Sequence, residues 1–268
     1  MEIPFDRWYE AVFKRRSRRQ FEQRRLREND LKSLYYICEN FRPFPEARAV
    51  LCNQSPEDVF KGAVGKYGKI KGASCFVAFI GKSDFPHVNE KVGYTGEGII
   101  LEATAMGLST CWVAGFYRPE IAAEIAGVGF NERVLSVSPI GYSIEEWTFE
   151  EKLMSGFGRS HRRKPLNELI IGAQNDALIT QLSPILELAR LAPSAVNRQP
   201  WRFYLEDDGI TISTDDLKDT FNIPKRLDCG IAMLHLEIAC LKYGLKGKWE
   251  FLEPLKVAKY NFFSMNAK

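Results

Sequence analysis

Only three histidines occur in the 268 residues, His87, His161 and His235, and they lie far apart in sequence. None forms an HxxxH or HExxH pattern, so nothing supports a helical metal site. The six cysteines, Cys38, Cys52, Cys75, Cys111, Cys229 and Cys240, make no CxxC pair and sit mostly in apolar or helical surroundings. Buried free thiols are expected rather than disulfides or zinc ligands. There is no GxSxG and no P-loop, and Gly156-Phe157-Gly158 is an isolated GxG without weight as a dinucleotide fingerprint. The most continuous apolar run, Cys75 to Ile80, is far too short to span a bilayer. The stretch Met1–Arg7 lacks the basic-then-apolar order of a signal peptide. A cytoplasmic protein without a membrane partner is the expectation. The net charge of +3 does not by itself imply a polyanionic partner.

What is present is an ordinary globular composition, 45% hydrophobic and 26% charged, in a chain long enough for one large domain or two small ones. Phe5, Trp8, Tyr9, Val12 and Phe13 follow the spacing of an amphipathic helix. That helix runs into a basic segment, Lys14 to Arg27, with eight basic residues and one acidic one. A solvated face is the generic meaning of such a run, and nucleic-acid binding the next. No stacking aromatics interleave with the arginines and no nucleic-acid-binding motif occurs, so no nucleic-acid partner is expected. Asn29 or Asp30 is placed to cap a second helix carrying Leu31, Leu34, Tyr35 and Cys38 on one face. Arg48–Leu51 and Ser74–Ile80 have strand composition, Gly93–Leu108 reads as a long buried helix, Pro119–Ala126 as a helix and Arg133–Val137 as a strand.

The second half centres on Ala192-Pro193-Ser194-Ala195-Val196-Asn197-Arg198-Gln199-Pro200-Trp201-Arg202-Phe203. Ser183 and Pro184 suit the cap and first position of a short helix ending near Leu191. Trp201–Leu205 and Ile210–Ile212 form a hairpin pattern around Asp207-Asp208-Gly209. The loop between helix and hairpin presents Ser194, Asn197 and Gln199 together. A stiff turn, with Asn and Ser bonding their own backbone, would account for any one of these residues alone.

The whole string, Ala-Pro-Ser-x-x-Asn-x-Gln-Pro-Trp-x-Phe, resembles the flavin-contacting loop of the FMN-dependent nitroreductase family. In that family the loop belongs to the partner subunit of a dimer. The resemblance extends over roughly the whole chain. Arg15-Arg16-Ser17-Arg18-Arg19-Gln20-Phe21 is similar to the segment that holds the FMN phosphate, ribityl chain and pyrimidine edge. A lysine before the buried strand approaches the ring in the family; Lys69 is the best positional match and Lys66 the second. Gly107-Leu108 to Trp112-Val113-Ala114-Gly115 resembles the turn whose backbone faces flavin N5, which implies that role for Ala114 and Gly115. A basic residue two before Pro165 reaches the phosphate in the family, and Arg163 matches it. Pro193, Ser194 and Asn197 are implied ring contacts. One departure stands out: Phe41-Arg42-Pro43-Phe44-Pro45 occupies the place where the first half should carry Pro-Ser-x-x-Asn.

An internal repeat explains the departure. Gly93, Gly107, Leu108 and Trp112 recur as Gly230, Gly244, Leu245 and Trp249, each offset by 137 residues. Four matches in register, one of them a pair of tryptophans, favour duplication. The first copy keeps the phosphate arginines and the second keeps the ring loop. The expected fold is therefore α+β and nitroreductase-like, with two homologous halves, 1–158 and 159–268, arranged as a pseudo-dimer around one flavin site. The resemblance implies a monomer, or further self-association of the fused unit. It also implies FMN as cofactor, NAD(P)H as electron donor and an electron-poor small molecule such as a nitroaromatic, quinone or enone as acceptor. No side-chain acid or base is assigned. An FMN-binding storage or sensing protein with little turnover is the alternative.

Overall fold

The computed structural model describes residues 1–61, 70–144, 162–172 and 175–263. Lys66, Lys69, the Gly156–Gly158 stretch, His161 and the 158/159 boundary lie outside the described residues.

Two four-stranded antiparallel sheets carry the fold. The first half contributes helices α1 (Phe5–Lys14), α2 (Glu28–Asn40), α3 (Glu57–Phe60), α4 (Val88–Ala105) and α5 (Pro119–Ala126). Its strands are β1 (Ala47–Cys52), β2 (Cys75–Lys82), β3 (Ser109–Thr110) and β4 (Glu132–Gly141), in the order β1-β2-β4-β3. The second half contributes α6 (Leu166–Leu169), α7 (Asp176–Ala189) and α8 (Lys225–Lys242). Its strands β5 (Trp201–Glu206), β6 (Gly209–Thr214), β7 (Gly247–Phe251) and β8 (Lys256–Phe262) are ordered β5-β6-β8-β7. The two orders are equivalent. In each sheet the second strand is interrupted once in its pairing to the fourth, at Phe79/Ile80 and at Ile212/Ser213. Helices α4 and α8 occupy the same place between second and third strands, and they begin and end at positions separated by the offset of the sequence repeat.

These two helices form the centre of the molecule. Both are buried along most of their length, which demands small residues where backbones approach. A Cβ on Gly93 would stand 2.1 Å from the Leu227 carbonyl oxygen, and one on Gly230 would stand 2.0 Å from that of Glu90. Around the crossing runs one apolar core that draws on both halves, from Trp8, Phe41 and Phe79 to Trp201, Phe203 and Tyr260. Full burial of each such side chain contributes about 1.5–3 kcal/mol, so separating the halves would forfeit much of the fold. A smaller cluster, with Phe76, Ile80 and Val137, lies under α3 and α5. All six cysteines are free and buried.

Three local expectations are corrected. Helix α7 begins well before Ser183: Asn175 caps it by accepting from the Ala177 and Leu178 N–H groups, and Pro184 lies in its interior. Burial of Leu182, Ile185, Leu186, Leu188 and Ala189 outweighs the backbone bond that Pro184 cannot donate. Helix α2 has no side-chain cap: it starts at Glu28 with Arg27 at the cap position, so Asn29 and Asp30 fall inside its first turn, and Asp30 accepts from the Tyr142 hydroxyl. In α1, Phe13 is exposed; the buried stripe is Trp8, Ala11 and Val12.

Candidate active site

Arg15 ends α1, and the chain then runs extended along the edge of the first sheet. Ser17 bridges to Thr110 in β3, and the Arg18 N–H donates to the Thr110 carbonyl. Further on, the Lys71 N–H donates to Arg19 O and the Phe21 N–H to Lys71 O. Gly72, at φ +79, makes this close approach possible, since a Cβ there would stand 2.2 Å from Phe21 O. The basic segment is thus fixed by its backbone, which leaves side chains to point elsewhere. Arg15 is buried and donates to Ser17 Oγ at 3.3 Å. Burial pulls its pKa down, and the nearby Glu97 carboxylate opposes that pull. Arg16 is exposed and folds back onto the carbonyls of Phe13 and Arg15. Arg18 turns away to Ser143 Oγ and the Ile144 carbonyl. Arg19 is half-buried.

From the second half Arg163 enters the same region. Its pKa is pushed down to about 10, first by burial and then by the positive charges of Arg15, Arg16 and Arg190. Its terminal nitrogens donate to Asn197 Oδ1 at 2.8 Å and to Leu191 O at 3.0 Å. Its Nε is buried without a partner, and among the described residues no carboxylate pairs with it. A cation held this way among cations, with a free donor, is suited to an anion carrying several acceptor oxygens.

The loop after α7 is strained and closely tied down. Val196, Asn197 and Gln199 all have positive φ, of 48°, 55° and 47°. Such backbone costs on the order of 1–3 kcal/mol per residue and persists where its surroundings enforce it. Here the Ser194 hydroxyl accepts from the Gln199 N–H at 2.9 Å, and Asp228, in the first turn of α8, accepts from the Ala195 N–H. The Arg198 Nε donates to Asp228 Oδ2 at 2.7 Å. Burial pushes the Asp228 carboxyl up, while Arg198 and the Ala195 N–H favour its charged form. Pro193, at the start of the loop, is buried.

The turn at Ala114 and Gly115 reaches the same end of α8. Val113 pairs with Val137 through both backbone bonds, and the chain then leaves the sheet. A Cβ on Gly115 would stand 3.2 Å from Ile223 Cδ1, and the Phe116 and Phe221 rings lie 5.8 Å apart. Trp112, just before this turn, donates from Nε1 to Glu97 Oε2 at 2.6 Å, and the other oxygen of that fully buried carboxylate faces His235 Nε2 at 2.8 Å. Glu97 therefore links the turn, the Arg15 region and the second half.

The structure thus places Arg15 and Arg16 within electrostatic range of Arg163 and ties Ser17 to Arg15. It seats Ser194 and Asn197 in the loop beside Arg163, and Ala114 and Gly115 against the approach to α8. Lys69 lies outside the described residues. Arg190 and the Glu97–His235 pair join the site without being expected there from sequence. Gln199 is expected from sequence beside Ser194 and Asn197 in the loop, but without a role at the site. Arg190, Glu97 and His235 have nothing in their spacing to set them apart.

Among the described residues no helix is long and apolar enough to cross a membrane, and no group of His, Cys, Asp and Glu could hold a metal ion. Comparison with curated proteins finds no match. Among solved structures, the chain is similar to a protein described as a putative nitroreductase from Thermotoga maritima, with a TM-score of 0.58 and 20% identity over 95% of this chain and 93% of that one. A nitroreductase with bound FMN from Bacteroides fragilis matches 53% of this chain and 91% of its own, at 15% identity and a TM-score of 0.43. A protein from Bacteroides thetaiotaomicron described as a putative NADH dehydrogenase/NAD(P)H nitroreductase matches 53% and 89%, at 17% identity and a TM-score of 0.44. The first of these likenesses shows the nitroreductase fold. The family model described as "Putative TM nitroreductase" matches residues 7–240, nearly the whole chain, and the protein belongs to that nitroreductase family.

Proposed function

We propose that the protein is an FMN-dependent oxidoreductase that takes electrons from NAD(P)H and passes them to an electron-poor small molecule such as a nitroaromatic, quinone or enone. The observation that carries this reading is Arg163, crowded by Arg15, Arg16 and Arg190 and left with a buried, unpartnered Nε. A phosphate fits that arrangement in charge and in acceptor count. Membership of the nitroreductase family supplies the class of chemistry. FMN, when bound, would supply reversible two-electron transfer, and the protein's share is binding and electrostatics.

In this reading Arg15, Arg16 and Arg163 neutralise the phosphate, while Ser17 and Arg19 serve the ribityl chain and ring edge. Lys69 and Arg19 are the cations proposed near the part of the ring that gains negative charge on reduction, where a fixed positive charge is most effective. Ala114 and Gly115 offer backbone groups to the reacting edge. Pro193 and Ser194 come to the ring from the other half, whereas the Asn197 amide is engaged by Arg163 and the Arg162 carbonyl and serves the site through them. Residues 1–158 and 159–268 are proposed as duplicated halves, so that one chain completes one site. The equivalent strand orders and the reciprocal glycine contacts of α4 and α8 support that view.

The test is steady-state turnover of purified protein with NADH or NADPH and a quinone or nitroaromatic, together with its visible absorption. A yellow protein that turns over supports the proposal. A yellow protein without turnover points to flavin storage or sensing, and a colourless protein that cannot be loaded with FMN refutes the reading.

A further inference from the structure

The segment that carries Arg163 has little structure of its own. Residues 162–165 belong to no helix or strand, and the short α6 begins only at Leu166. Its position is set by two amides of the strained loop. Asn197 Oδ1 accepts from Arg163 Nη1 at 2.8 Å, and Asn197 Nδ2 donates to the Arg162 carbonyl at 2.9 Å. Gln199 Nε2 donates to that same carbonyl at 3.0 Å, and Gln199 Oε1 accepts from the Lys164 N–H at 2.8 Å. Lys164 Nζ returns a bond to the Gln199 carbonyl at 3.1 Å. Each amide has one orientation that satisfies its partners, because an arginine only donates and a carbonyl only accepts. Gln199 is 3% exposed, so its bonds are made out of water, where a missing partner is most costly.

The left-handed backbone at Asn197 and Gln199 has the same purpose. It turns both side chains of a two-residue spacing toward one neighbouring segment, and Ser194 Oγ and Asp228 hold the turn in that shape. We propose that Asn197 and Gln199 are positioning residues: they clamp residues 162–164 so that the Arg163 guanidinium is held, in the ligand-free protein, where it meets an anionic phosphate together with Arg15 and Arg16. The identity of that anion as the FMN phosphate rests on the function proposed above; the clamp itself does not. The amides act through Arg163 and make the cation cluster rigid before the ligand arrives, which lowers the ordering cost of binding.

Asn197→Gly removes the side chain while keeping a residue that accepts a φ of 55°. The first measurement needs no flavin. In the wild type, bonds at both terminal nitrogens should slow rotation of the Arg163 guanidinium, giving separate Nη resonances assigned by their disappearance in Arg163→Lys. In Asn197→Gly they should merge, and in Asn197→Asp, which keeps an oxygen for Arg163, they should stay separate. Resonances that stay separate in Asn197→Gly overturn the clamp, as does their merging in Asn197→Asp. The second measurement is ligand affinity. Asn197→Gly should bind FMN about tenfold more weakly, the effect of removing one charge-assisted hydrogen bond, and riboflavin with nearly unchanged affinity. In an Arg163→Ala background the same change should cause no further drop in FMN affinity. Equal losses for the two flavins, or an additive loss in that background, would place Asn197 on the ligand itself and overturn the proposal. If the wild type binds neither flavin, the FMN reading fails and the resonances alone decide the clamp.

Discussion

Gly93 and Gly230 hold equivalent places in the crossing of α4 and α8. Each stands against the carbonyl of a residue three positions before its counterpart glycine: Gly93 against Leu227, and Gly230 against Glu90. A contact that repeats with its partners exchanged is the signature of an approximate two-fold relation, as in an isologous dimer interface. The crossing passes through the centre of the shared core, so it sets how the arginines of one half meet Arg163 of the other.

Replacing either glycine by alanine should therefore be costly. The new methyl would press on backbone, which cannot rotate away, and the helices would have to separate. A loss of about 3 kcal/mol or more is expected for Gly93→Ala, at the upper end of overpacking effects, and a similar loss for Gly230→Ala. Denaturant unfolding measures both; a change within experimental error at either site would show that the crossing can relax.

A pH-dependent contribution comes from Arg48 and Glu132, which join β1 to the start of β4 across β2 through two bonds of 2.8 and 2.6 Å. The Arg48 guanidinium holds the Glu132 carboxyl down at about 2, with the Gly129 N–H assisting. A folded-state value below the ordinary carboxylate range contributes stability that is present above that range and is lost as the pH falls toward about 2. Arg48→Met should destabilise the protein at neutral pH by on the order of 1 kcal/mol, since the pair is partly solvated. The difference from wild type should shrink steadily below about pH 4.5. A difference independent of pH would assign the effect to packing of the arginine stem.

Flavin content follows from the proposed single site. Denaturing a saturated sample should release about one FMN per chain, an estimate that rests on one duplication completing one site. Absorbance and mass of the released flavin settle the count. Two per chain, or FAD, would be incompatible with the two halves sharing a site.

Phosphate recognition should be separable from ring recognition. Arg15→Ala is expected to weaken FMN binding by about 2 kcal/mol, the worth of a charge-assisted hydrogen bond, and to affect riboflavin far less. Titration of both flavins into the apoprotein checks this. Matching losses would remove Arg15 from the phosphate site.

Kinetics test whether one face serves donor and acceptor in turn. Parallel double-reciprocal lines for NAD(P)H against a quinone are expected, because two substrates that share a site must alternate. Intersecting lines would require room for both together.

The elements of this fold were legible along the chain wherever local rules are strong. The stripe of α1, the buried run of β2, the Pro119 start of α5 and the turn between β5 and β6 are all encoded within a few neighbouring residues. The strings read as candidate site motifs and the repeat offset could be read along the chain as well, because they are matters of residue identity and spacing. The early start of α7 was not, since Pro184 breaks a helix by local rules and only the burial of its neighbours overrules them. Nor was the use of Asp30, whose carboxylate serves Tyr142 from 112 residues away and which lies inside the first turn of α2.

The sequence by itself determined which groups the protein possesses: an arginine-rich segment in one half, a proline-framed polar loop in the other, and two small-residue helices in register. Tertiary structure alone decided what those groups face. That Arg163 lies among Arg15, Arg16 and Arg190 depends on how α4 and α8 cross, and that Asn197 bonds Arg163 depends on a left-handed turn held by Asp228 of another helix. Charge and hydrogen bonding act through space over a few ångströms, whereas Arg15 and Arg163 are separated by about 150 residues of chain. Only packing brings them within range.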